Sequence, residues 1–262
     1  MRIASWNVNS LKARLQHVLD YCRAETADVL LLQELKLSDE NIPREAFEDI
    51  GWHIETHGQK TYNGVAVLSK KPIEIIRRAL PNEPSIAEDG SLQARYIEAD
   101  IEGVRLASIY LPNGNPNPGP KFTYKIDWMK ALNAHAADLL DTEQPVVLAG
   151  DYNVIPQDID CYDPQAWQGD ALTDPQSRAA FFALSHMGYT DALRAIHPQG
   201  AHYSFWDYQA GAWQKDNGIR IDHLMLSPEA ANKLVSAGVD KAPRGLEKPS
   251  DHTPVWCALD TK

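Results

Sequence analysis

The sequence predicts an α+β fold that combines mixed β-sheets with helices. Apolar runs of about four to eight residues, bounded by polar or turn residues, recur along the 262-residue chain and are typical of buried strands. Other segments carry apolar residues at helical spacing. The predicted strands follow one another too irregularly for strict strand–helix alternation. We therefore expect a mixed sheet system and not a doubly wound parallel sheet.

The first half of the chain begins with a predicted strand over residues 1–9. Ser10 follows as a predicted helix N-cap, and apolar residues then recur at helical spacing from Leu11 to Cys22. The remaining strands predicted in this half cover residues 28–33, 65–68, 96–100 and 104–110. The last two flank Ile101–Gly103, which predicts a hairpin.

The second half of the chain contains two further predicted helices. Residues 121–140 place Phe122, Ile126, Met129, Leu132, Ala136 and Leu139 on one helical face. Another helix is predicted over residues 177–187. Strands are predicted at residues 146–150, 202–206, 221–226 and 254–259.

Long irregular segments separate these elements, at residues 81–93, 112–120, 155–176 and 207–219. Loops of this length inside a compact domain are usually functional or mobile. The chain shows no internal repeat and no linker-like change in composition. We therefore expect a single domain that spans residues 1–262.

Composition restricts the class of protein. The three cysteines lie far apart without a CxxC spacing, which argues against a disulfide framework and a structural zinc site. No apolar stretch reaches the roughly 18 residues of a membrane span, and the N-terminus has no signal-peptide pattern. These features lead us to expect a cytoplasmic protein with no membrane partner.

The formal net charge of −11 taken alone disfavours a nucleic-acid partner, because phosphate affinity comes largely from lysine and arginine. A local basic rim can nevertheless coexist with an acidic whole. Candidate segments for such a rim are Lys70–Lys71, Arg77–Arg78, Lys121–Lys130 and Lys241–Lys248. For any one of these segments, a solvated cluster of surface charges is the more common explanation.

Polar residues stand where several apolar runs stop. Asn7, Glu34 and Asp151 follow three such runs, and Ser250–Asp251–His252 precedes a fourth. One such ending usually means only that a strand enters a turn. Several of them together can build an oxygen-rich cluster with one imidazole. Oxygen ligands suit Mg²⁺ or Mn²⁺, and these metals suit chemistry at phosphate.

Six motifs occur in an order and with separations that resemble a known family. They are Trp6–Asn9, Leu32–Glu34, Tyr110–Asn113, Gly150–Asn153, Ile221–His223 and Ser250–His252. The chain resembles the exonuclease III family of the endonuclease/exonuclease/phosphatase superfamily. The resemblance covers essentially the whole chain, and Tyr203–Ile221 is similar to the segment around the family's abasic-site pocket.

The resemblance implies a DNase I-like fold, a four-layered α/β sandwich of two packed mixed β-sheets flanked by helices. It implies a DNA repair nuclease that uses Mg²⁺ or Mn²⁺ to hydrolyse phosphodiesters. The implied activities are 3′→5′ exonuclease, 3′-end processing and incision at abasic sites. The implied substrate is double-stranded DNA with abasic sites or damaged 3′ ends, acted on by a monomer that works at the bacterial nucleoid.

The resemblance also implies roles for individual residues. The metal shell would come from Asn7, Glu34, Asp151, Asn153, Asp251 and His252, with Glu34 as the main ligand. The catalytic residues would be Tyr110, Asp151, Asn153, Asp222 and His252. The substrate-binding residues would be Asn9, Phe205, Trp206, Ile219 and Ile221.

The base that activates the attacking water stays open between Asp151 and His252. We favour Asp151 as the base and His252 as a donor to the non-bridging oxygens, held in the right tautomer by Asp222. Tyr110 would contact phosphate or assist the leaving group, although it could simply be a packed tyrosine. His223 is expected to be structural, because adjacent side chains on a strand point to opposite faces.

Two departures from the family affect the expected substrate. Ile219 stands where the animal abasic endonucleases have tryptophan, and the loop after Asn113 lacks their DNA-penetrating arginine. Both changes put the grip on a flipped abasic sugar in doubt, although Phe205 and Ile221 still supply apolar walls. We therefore weight exonuclease and 3′-end processing at least equally with abasic incision.

Two alternatives remain at this point. A phosphatase or phosphodiesterase of the same superfamily could act on a substrate other than DNA, although the Tyr203–Ile221 segment argues against it. A catalytically inactive binding protein would have lost some of the key residues. All of those residues are present, namely Glu34, Asp151, Asn153, Asp222 and His252.

Overall fold

Two six-stranded β-sheets form the centre of the protein in a computed structural model that describes residues 1–24 and 26–261. With strands numbered in chain order, the first sheet has the spatial order β11 (Leu234–Val239), β12 (Val255–Leu259), β1 (Arg2–Asn7), β2 (Val29–Gln33), β4 (Val65–Ser69) and β3 (His53–His57). The second sheet has the order β5 (Glu74–Arg77), β6 (Tyr96–Ile101), β7 (Val104–Tyr110), β8 (Val146–Asp151), β10 (Asp222–Leu226) and β9 (Thr190–Asp191).

Both sheets are mixed in the same way. One neighbouring pair in each sheet is parallel, β1 with β2 and β7 with β8, and every other pair is antiparallel. In each sheet the parallel pair is central. The carboxyl ends of two parallel strands therefore lie side by side in the middle of each sheet.

Helices cover the outer faces of both sheets. The helices are α1 (Leu11–Arg23), α2 (Arg44–Glu48), α3 (Pro120–Leu140), α4 (Pro175–Met187), α5 (Ala192–Ile196) and α6 (Pro228–Ala231), with short 3₁₀ helices at Asp39–Asn41, Asp158–Asp160 and Ala242–Gly245. The Ser10 hydroxyl caps α1 by accepting a hydrogen bond from the Ala13 backbone N–H.

Strand alternation divides the core into layers. On β1, Ile3 faces the apolar layer between the two sheets, while Ala4 and Trp6 face the outer layer under α1 and α2. On β8, Val147 faces the layer between the sheets and Leu148 faces the layer under α3 and α4. The result is the four-layered α/β sandwich with two packed mixed β-sheets, so the predicted fold class is confirmed.

One predicted strand is wrong, and four strands and the short helices α2, α5 and α6 were not predicted. Residues 202–206 do not form a strand, because only Phe205 makes isolated bridges there, to Ile219 and His252. The sequence analysis did not predict β3, β5, β9 or β11. These four are the edge strands of the two sheets.

A close contact fixes the parallel pair of the second sheet. A Cβ at Gly150 would lie 1.9 Å from the Ile109 carbonyl oxygen, so only glycine fits at this position on β8. The glycine directly precedes Asp151. Strand packing therefore fixes the place at which that carboxylate leaves the sheet.

The helices include none that could span a membrane. Over the described residues, no helix is both long and apolar enough to cross a bilayer.

Candidate active site

The ends of five strands bring the predicted site residues to one end of the sandwich. Asn7 is the last residue of β1, Tyr110 the last of β7 and Asp151 the last of β8, while Glu34 follows β2 directly. In the second sheet, Tyr110 and Asp222 both lie opposite Asp151 in register. The strand register thus places an amide, a phenol and three carboxylates beside one another.

The Asn7 carboxamide connects the two sheets. Its Nδ2 donates to Glu34 Oε1 at 2.8 Å and to Asp151 Oδ2 at 2.9 Å. The Asn7 side chain is fully buried, and the Ser250 hydroxyl donates to its backbone carbonyl at 2.7 Å. A single amide therefore holds the Glu34 and Asp151 carboxylates close together.

Glu34 is held as a carboxylate. Burial alone would raise its pKa, but hydrogen bonds from Asn7 and Lys36 and the charge of Lys36 hold that pKa below its ordinary value. Lys36 Nζ lies 2.9 Å from Glu34 Oε2. Glu34 also adopts a left-handed backbone conformation, with φ of 55°. Such a conformation is uncommon for a residue other than glycine and is frequent at functional sites.

Asp151 is buried and carries unusual electrostatics. Its Oδ1 accepts a hydrogen bond from the Asn153 backbone N–H at 2.9 Å, and its Oδ2 accepts from Asn7. Burial raises the pKa of this carboxyl, and the negative charge of Asp222 raises it further, while the charge of His252 opposes the rise. Asp151 can therefore take up a proton more readily than an exposed aspartate.

His252 lies between two of the carboxylates. Its Nδ1 is 2.8 Å from Asp222 Oδ2, and its Nε2 is 3.8 Å from Asp151 Oδ2. Burial would lower the pKa of this imidazole, but the charges of Asp222 and Asp151 and the hydrogen bond with Asp222 raise it. The imidazole is therefore held in its charged form, with an N–H directed toward Asp151.

Asp222 is in turn fixed by a side chain from a loop. The Ser204 hydroxyl donates to Asp222 Oδ2 at 2.6 Å, and it accepts the backbone N–H of Asp222 at 3.2 Å. The other carboxylate oxygen, Oδ1, is buried and has no hydrogen-bond partner among the described residues. Asp222 thus offers one oxygen to His252 and keeps a second, unpartnered acceptor.

Asn153 has its side chain held at both ends. Its Nδ2 donates to the Leu111 carbonyl at 2.9 Å, which uses one of the two amide hydrogens. Its Oδ1 accepts from Asn113 Nδ2 at 3.0 Å. The residue adopts φ of 48°, in the left-handed region. One N–H and one acceptor lone pair of the carboxamide remain for further partners.

Tyr110 lies beside Glu34 with its ring against an arginine. The Arg95 guanidinium lies 4.8 Å from the centroid of the Tyr110 ring, and Arg95 Nη1 donates to the Tyr110 carbonyl at 3.1 Å. Burial raises the pKa of the phenol well above its ordinary value, and the charge of Glu34 adds to the rise. The phenol therefore keeps its proton and can act as a hydrogen-bond donor.

Asp251 and Asn9 lie one contact away from the carboxylates. Asp251 Oδ1 accepts from Asn9 Nδ2 at 3.1 Å, and the Asn9 backbone N–H donates to Asn7 Oδ1 at 3.0 Å. Asn9 also accepts a hydrogen bond from Lys36 Nζ. Asp251 is thus connected to Glu34 only through other side chains.

A cavity of about 230 Å³ lies against Phe205, and its lining combines apolar side chains with the polar side chains of Asp207, Gln209 and Asn217. Phe205 and Ile219 line it together with Trp167, and the Phe205 ring packs edge-on against the His252 imidazole at 5.0 Å between centroids. Ile221 lies in the same apolar cluster as Ile219. The cavity can therefore hold a small group against Phe205, which separates it from the imidazole.

Trp206 was predicted to contact the substrate, and its burial shows that this prediction is wrong. Its side chain is 0% exposed, its Nε1 donates to Asp216 at 3.0 Å, and its ring packs edge-on against Trp213. The buried indole cannot reach a ligand in the cavity. It instead supports the loop that carries the neighbouring Phe205.

A second cleft of about 400 Å³ continues from the site on the side of Glu34 and Tyr110. Three basic side chains line it, from Lys36, Arg95 and Lys121. Of the basic segments singled out in the sequence, Lys121–Lys130 thus contributes to the site. Lys70 and Lys71 instead pair with Asp28 and Glu102, near the start of β2 and away from the site.

The donor set fits a hard divalent cation. Asp151, Asp222 and His252 carry ligand atoms that all lie within 4.8 Å of one another, and Glu34 is joined to Asp151 through Asn7. Burial raises the pKa of Asp151, and repulsion from the nearby charge of Asp222 adds to the rise. A cation held by carboxylate and amide oxygens would relieve that repulsion.

Sequence reasoning missed several residues that shape the site. Arg95 and Lys36 lie outside the strand-end pattern, Asn113 was quoted in the motif Tyr110–Asn113 without a role, and Lys125 was noted only within a basic segment. Asn113 and Lys36 are close in sequence to Tyr110 and Glu34, which is the one signal that could have indicated them. His223 is buried and bonded to the Val154 carbonyl and Arg220, away from the other site residues, as expected.

Comparisons with known proteins agree with this geometry. Residues 4–252 match the endonuclease/exonuclease/phosphatase family. The chain is 32% identical to exodeoxyribonuclease III of Haemophilus influenzae, and the match covers 98% of each chain.

Two solved structures are similar over nearly their full length. A Neisseria 3′ phosphatase, NExo, bound to a product DNA hairpin, has a TM-score of 0.94 and 40% identity, with 99% of each chain covered. An AP endonuclease from Archaeoglobus fulgidus has a TM-score of 0.91 and 32% identity, again with 99% of each chain covered.

Proposed function

Because the chain belongs to the exonuclease III family of the endonuclease/exonuclease/phosphatase superfamily, we propose that this metal-dependent nuclease repairs DNA at damaged 3′ ends and abasic sites. It hydrolyses one phosphodiester or phosphomonoester at a time, with water as the nucleophile. Double-stranded DNA with a free or blocked 3′ end is the main substrate. The monomeric state and the cytoplasmic location stay predictions.

One observation carries this proposal: a charged imidazole and a carboxylate of raised pKa face each other across a short gap. His252 Nε2 and Asp151 Oδ2 are 3.8 Å apart, which is too long for a direct hydrogen bond. A water or a phosphate oxygen placed near this gap would be within reach of both groups. The arrangement suits an acceptor for the water proton and a donor for the phosphoryl oxygen.

The proposed roles follow from the hydrogen bonds. Asp151 accepts a proton from the attacking water, since its Oδ2 lies at the gap of 3.8 Å to His252 Nε2 near which that water would be held. His252 donates its Nε2 hydrogen to a non-bridging oxygen, where negative charge accumulates. Asp222 keeps the imidazole charged and oriented through Nδ1. A general base of this kind typically contributes about 10²–10⁴ in rate.

Asn153 and Tyr110 complete the set of donors. Asn153 directs its remaining amide hydrogen at a phosphate oxygen, which adds a contact without adding negative charge. The Tyr110 phenol stays protonated and donates to the phosphate or to the leaving oxygen. Lys36, Arg95 and Lys121 bind the flanking phosphates in the basic cleft.

Mg²⁺ is the cation that we propose for the site, with Mn²⁺ as a substitute. Glu34, Asp151 and the Asn7 carboxamide oxygen would hold it, supported by Asn153 and by Asp251 through Asn9. His252 is a weaker candidate ligand, because a charged imidazole has no free lone pair. The bound cation would supply positive charge to the phosphoryl oxygens.

The cavity against Phe205 receives the sugar on the 3′ side of the reaction centre. Phe205, Ile219 and Trp167 offer apolar contact to a deoxyribose that lacks a base or ends a strand. The cavity is small, at about 230 Å³, and Trp167 narrows it. These features favour 3′-end processing and exonuclease action, with abasic incision as a further activity.

A panel of matched duplexes tests the proposal. The purified protein is incubated with duplexes that carry a recessed 3′ hydroxyl, a 3′ phosphate or an abasic site, and with inositol phosphates. We expect cleavage of the DNA substrates and none of the inositol phosphates. Faster turnover of an inositol phosphate would support the alternative phosphatase and overturn the proposal.

The same panel tests the cation. EDTA should stop cleavage, and Mg²⁺ or Mn²⁺ should restore it, because the donors are oxygen atoms. Restoration by Zn²⁺ alone would contradict the assignment of a hard cation.

A further inference from the structure

Lys125 is a buried lysine that has no role in the proposed mechanism, and it contacts the loop that carries Asn153. Lys125 lies in the second turn of α3, and its side chain is 0% exposed. Its ammonium group donates to three backbone carbonyls: that of Asn113 at 3.0 Å, that of Asn153 at 2.6 Å and that of Ala171 at 3.2 Å. An ammonium group has three hydrogens, so all of its donors are used.

The three carbonyls belong to three different loops. Asn113 lies in the loop between β7 and α3, Asn153 follows β8, and Ala171 lies in the long loop before α4. The third loop also carries Trp167, which lines the cavity against Phe205. Lys125 is therefore a junction between a proposed phosphate-binding residue and a wall of the substrate pocket.

The contact with Asn153 is the shortest of the three and occurs at a left-handed backbone position. Asn153 has φ of 48°, a conformation that asparagine adopts more readily than most residues with a side chain. The same residue donates its backbone N–H to Asp151 and accepts from the Asn113 side chain. Any shift of this peptide would therefore move the Asn153 carboxamide and one hydrogen bond of Asp151 together.

The surrounding chain is shaped to admit this lysine. A Cβ at Gly114 would lie 2.6 Å from Lys125 Cδ and 3.1 Å from Ala171 Cβ. Gly114 also has φ of 93°, in the left-handed region. The loop thus leaves room for the lysine stem only because this position carries no side chain.

An apolar residue could fill the same space if the position served packing alone. Burying an ammonium group is costly unless every donor is satisfied, and hydrophobic replacements of buried charges are often neutral or stabilising. Burial lowers the pKa of Lys125 to about 7, but each of the three loop carbonyls accepts one hydrogen, which matches the three hydrogens of the charged form. The benefit that matches this geometry is orientation of the loops.

We propose that Lys125 is a positioning residue that holds the Asn153 carboxamide and the pocket loop in their working arrangement. It acts through the three carbonyls and touches neither substrate nor reacting atoms. Because its test measures DNA cleavage, the inference rests on the proposed nuclease function. Lys125 is not among the catalytic residues proposed above.

The test compares Lys125→Met with the wild type on the DNA substrate that the wild type cleaves fastest, under saturating metal. Methionine has a similar length and no donors. We expect kcat to fall by about 10–100-fold, as is typical when a residue that orients catalytic groups is removed. KM for DNA should change by less than about threefold, since the phosphate-binding cations are intact.

A matched control separates positioning from general loss of stability. His135 lies on the same helix, is buried, and bonds to Glu98 at 2.7 Å far from the site. His135→Gln should lower the melting temperature in the same way as Lys125→Met but leave kcat close to the wild-type value. All rates are measured well below each variant's melting temperature.

A double-mutant cycle shows whether Lys125 acts through Asn153. In an Asn153→Ala background, Lys125→Met should lower the single-turnover rate by a smaller factor than it does in the wild-type background, because the carboxamide that Lys125 positions is already absent. Rate losses that multiply in full would show that Lys125 has no connection to Asn153 and would overturn the inference.

Two results keep the inference separate from the proposed function. A wild-type protein that cleaves no DNA refutes the proposed function, whereas an active wild type with a folded, equally fast Lys125→Met refutes the inference. If Lys125→Met does not fold, Gly114→Ala takes its place, because the added methyl displaces the same ammonium group. Its expected result is a lower kcat that disappears in the Asn153→Ala background, and an unchanged kcat would contradict us.

Discussion

Asp222 and His252 show how one buried carboxylate determines the charge of its neighbour. The imidazole is buried, and burial alone would favour its neutral form. The Asp222 oxygen at 2.8 Å reverses that preference and orients the ring. The charged, oriented donor is therefore a property of the pair and not of the histidine alone.

We predict that Asp222→Asn lowers kcat by about 10–100-fold with a smaller change in KM, because the imidazole loses both its charge partner and its orientation. The pKa of His252, followed by NMR, should fall in the same variant. Ser227→Ala, at a buried hydroxyl that donates to the Gln144 carbonyl at the opposite end of β10, serves as a control outside this pair. An unchanged pKa of His252 in Asp222→Asn would contradict this explanation.

At the level of residues, the sequence could predict the site residues that stand at strand ends. It could not predict the residues that contact them in the folded structure. Asn7, Glu34 and Asp151 each follow an apolar run, so their convergence was predictable. Arg95 and Lys125 reach the site through contacts between loops, and such contacts leave no local pattern. Trp206 lies directly beside Phe205 in sequence, yet only one of the two faces the cavity.

At the level of elements, the predictable strands are the central ones. Each central strand is covered on both faces, so its sequence is a continuous apolar run, as in Val29–Gln33. The edge strands are partly exposed, as in His53–His57 and Glu74–Arg77, and lack such a run. Residues 202–206 have aromatic residues typical of a strand but serve as one wall of the cavity.

A buried network ties the second sheet to α3. Glu98 on β6 bonds to His135 of α3 at 2.7 Å, to Arg105 of β7 at 2.8 Å and to the Tyr96 hydroxyl at 2.7 Å. Burial would raise the pKa of Glu98, but these hydrogen bonds lower it from 4.5 to about 2. A carboxyl with a lowered pKa in the folded state stabilises that state most above its unfolded pKa.

We predict that Glu98→Gln lowers the free energy of unfolding by about 2–3 kcal/mol near neutral pH. The difference from the wild type should narrow as the pH falls from 4.5 toward 2, because the Glu98 contribution is lost in that window. Urea unfolding of the wild type and Glu98→Gln at two pH values measures this difference in the free energy of unfolding. Asp20→Asn, which removes an exposed ion pair with Arg23, is the control. Its free energy of unfolding should differ little from that of the wild type at both pH values. A difference for Glu98→Gln that stays constant or widens on acidification would be inconsistent with the network.

At the level of the whole molecule, an acidic protein presents a basic cleft to its substrate. The net charge is −11, yet Lys36, Arg95 and Lys121 line the cleft beside Glu34 and Tyr110. Local potential, and not net charge, governs the approach of a charged ligand to such a cleft. The sequence also predicts a single domain over residues 1–262, and this stays a prediction.

We predict that Lys121→Ala raises KM for DNA and weakens the dependence of kcat/KM on salt, by a slope of about 0.9 for each lost phosphate contact. The value of kcat at saturation should change little. Lys71→Ala is the matched control, because that lysine pairs with Glu102 away from the site. Equal salt slopes for the wild type and Lys121→Ala would remove this cleft from the binding surface.

The most direct test of the whole explanation compares cleavage and DNA binding by Asp151→Asn. The variant keeps the size of the side chain but cannot accept the water proton, so we predict a loss of about 10²–10⁴-fold or more in single-turnover cleavage with Mg²⁺. The Kd for the same duplex, measured by fluorescence anisotropy, should be unchanged or lower, because a negative charge is removed. Cleavage at a near wild-type rate would contradict the assignment of Asp151 and the site built around it.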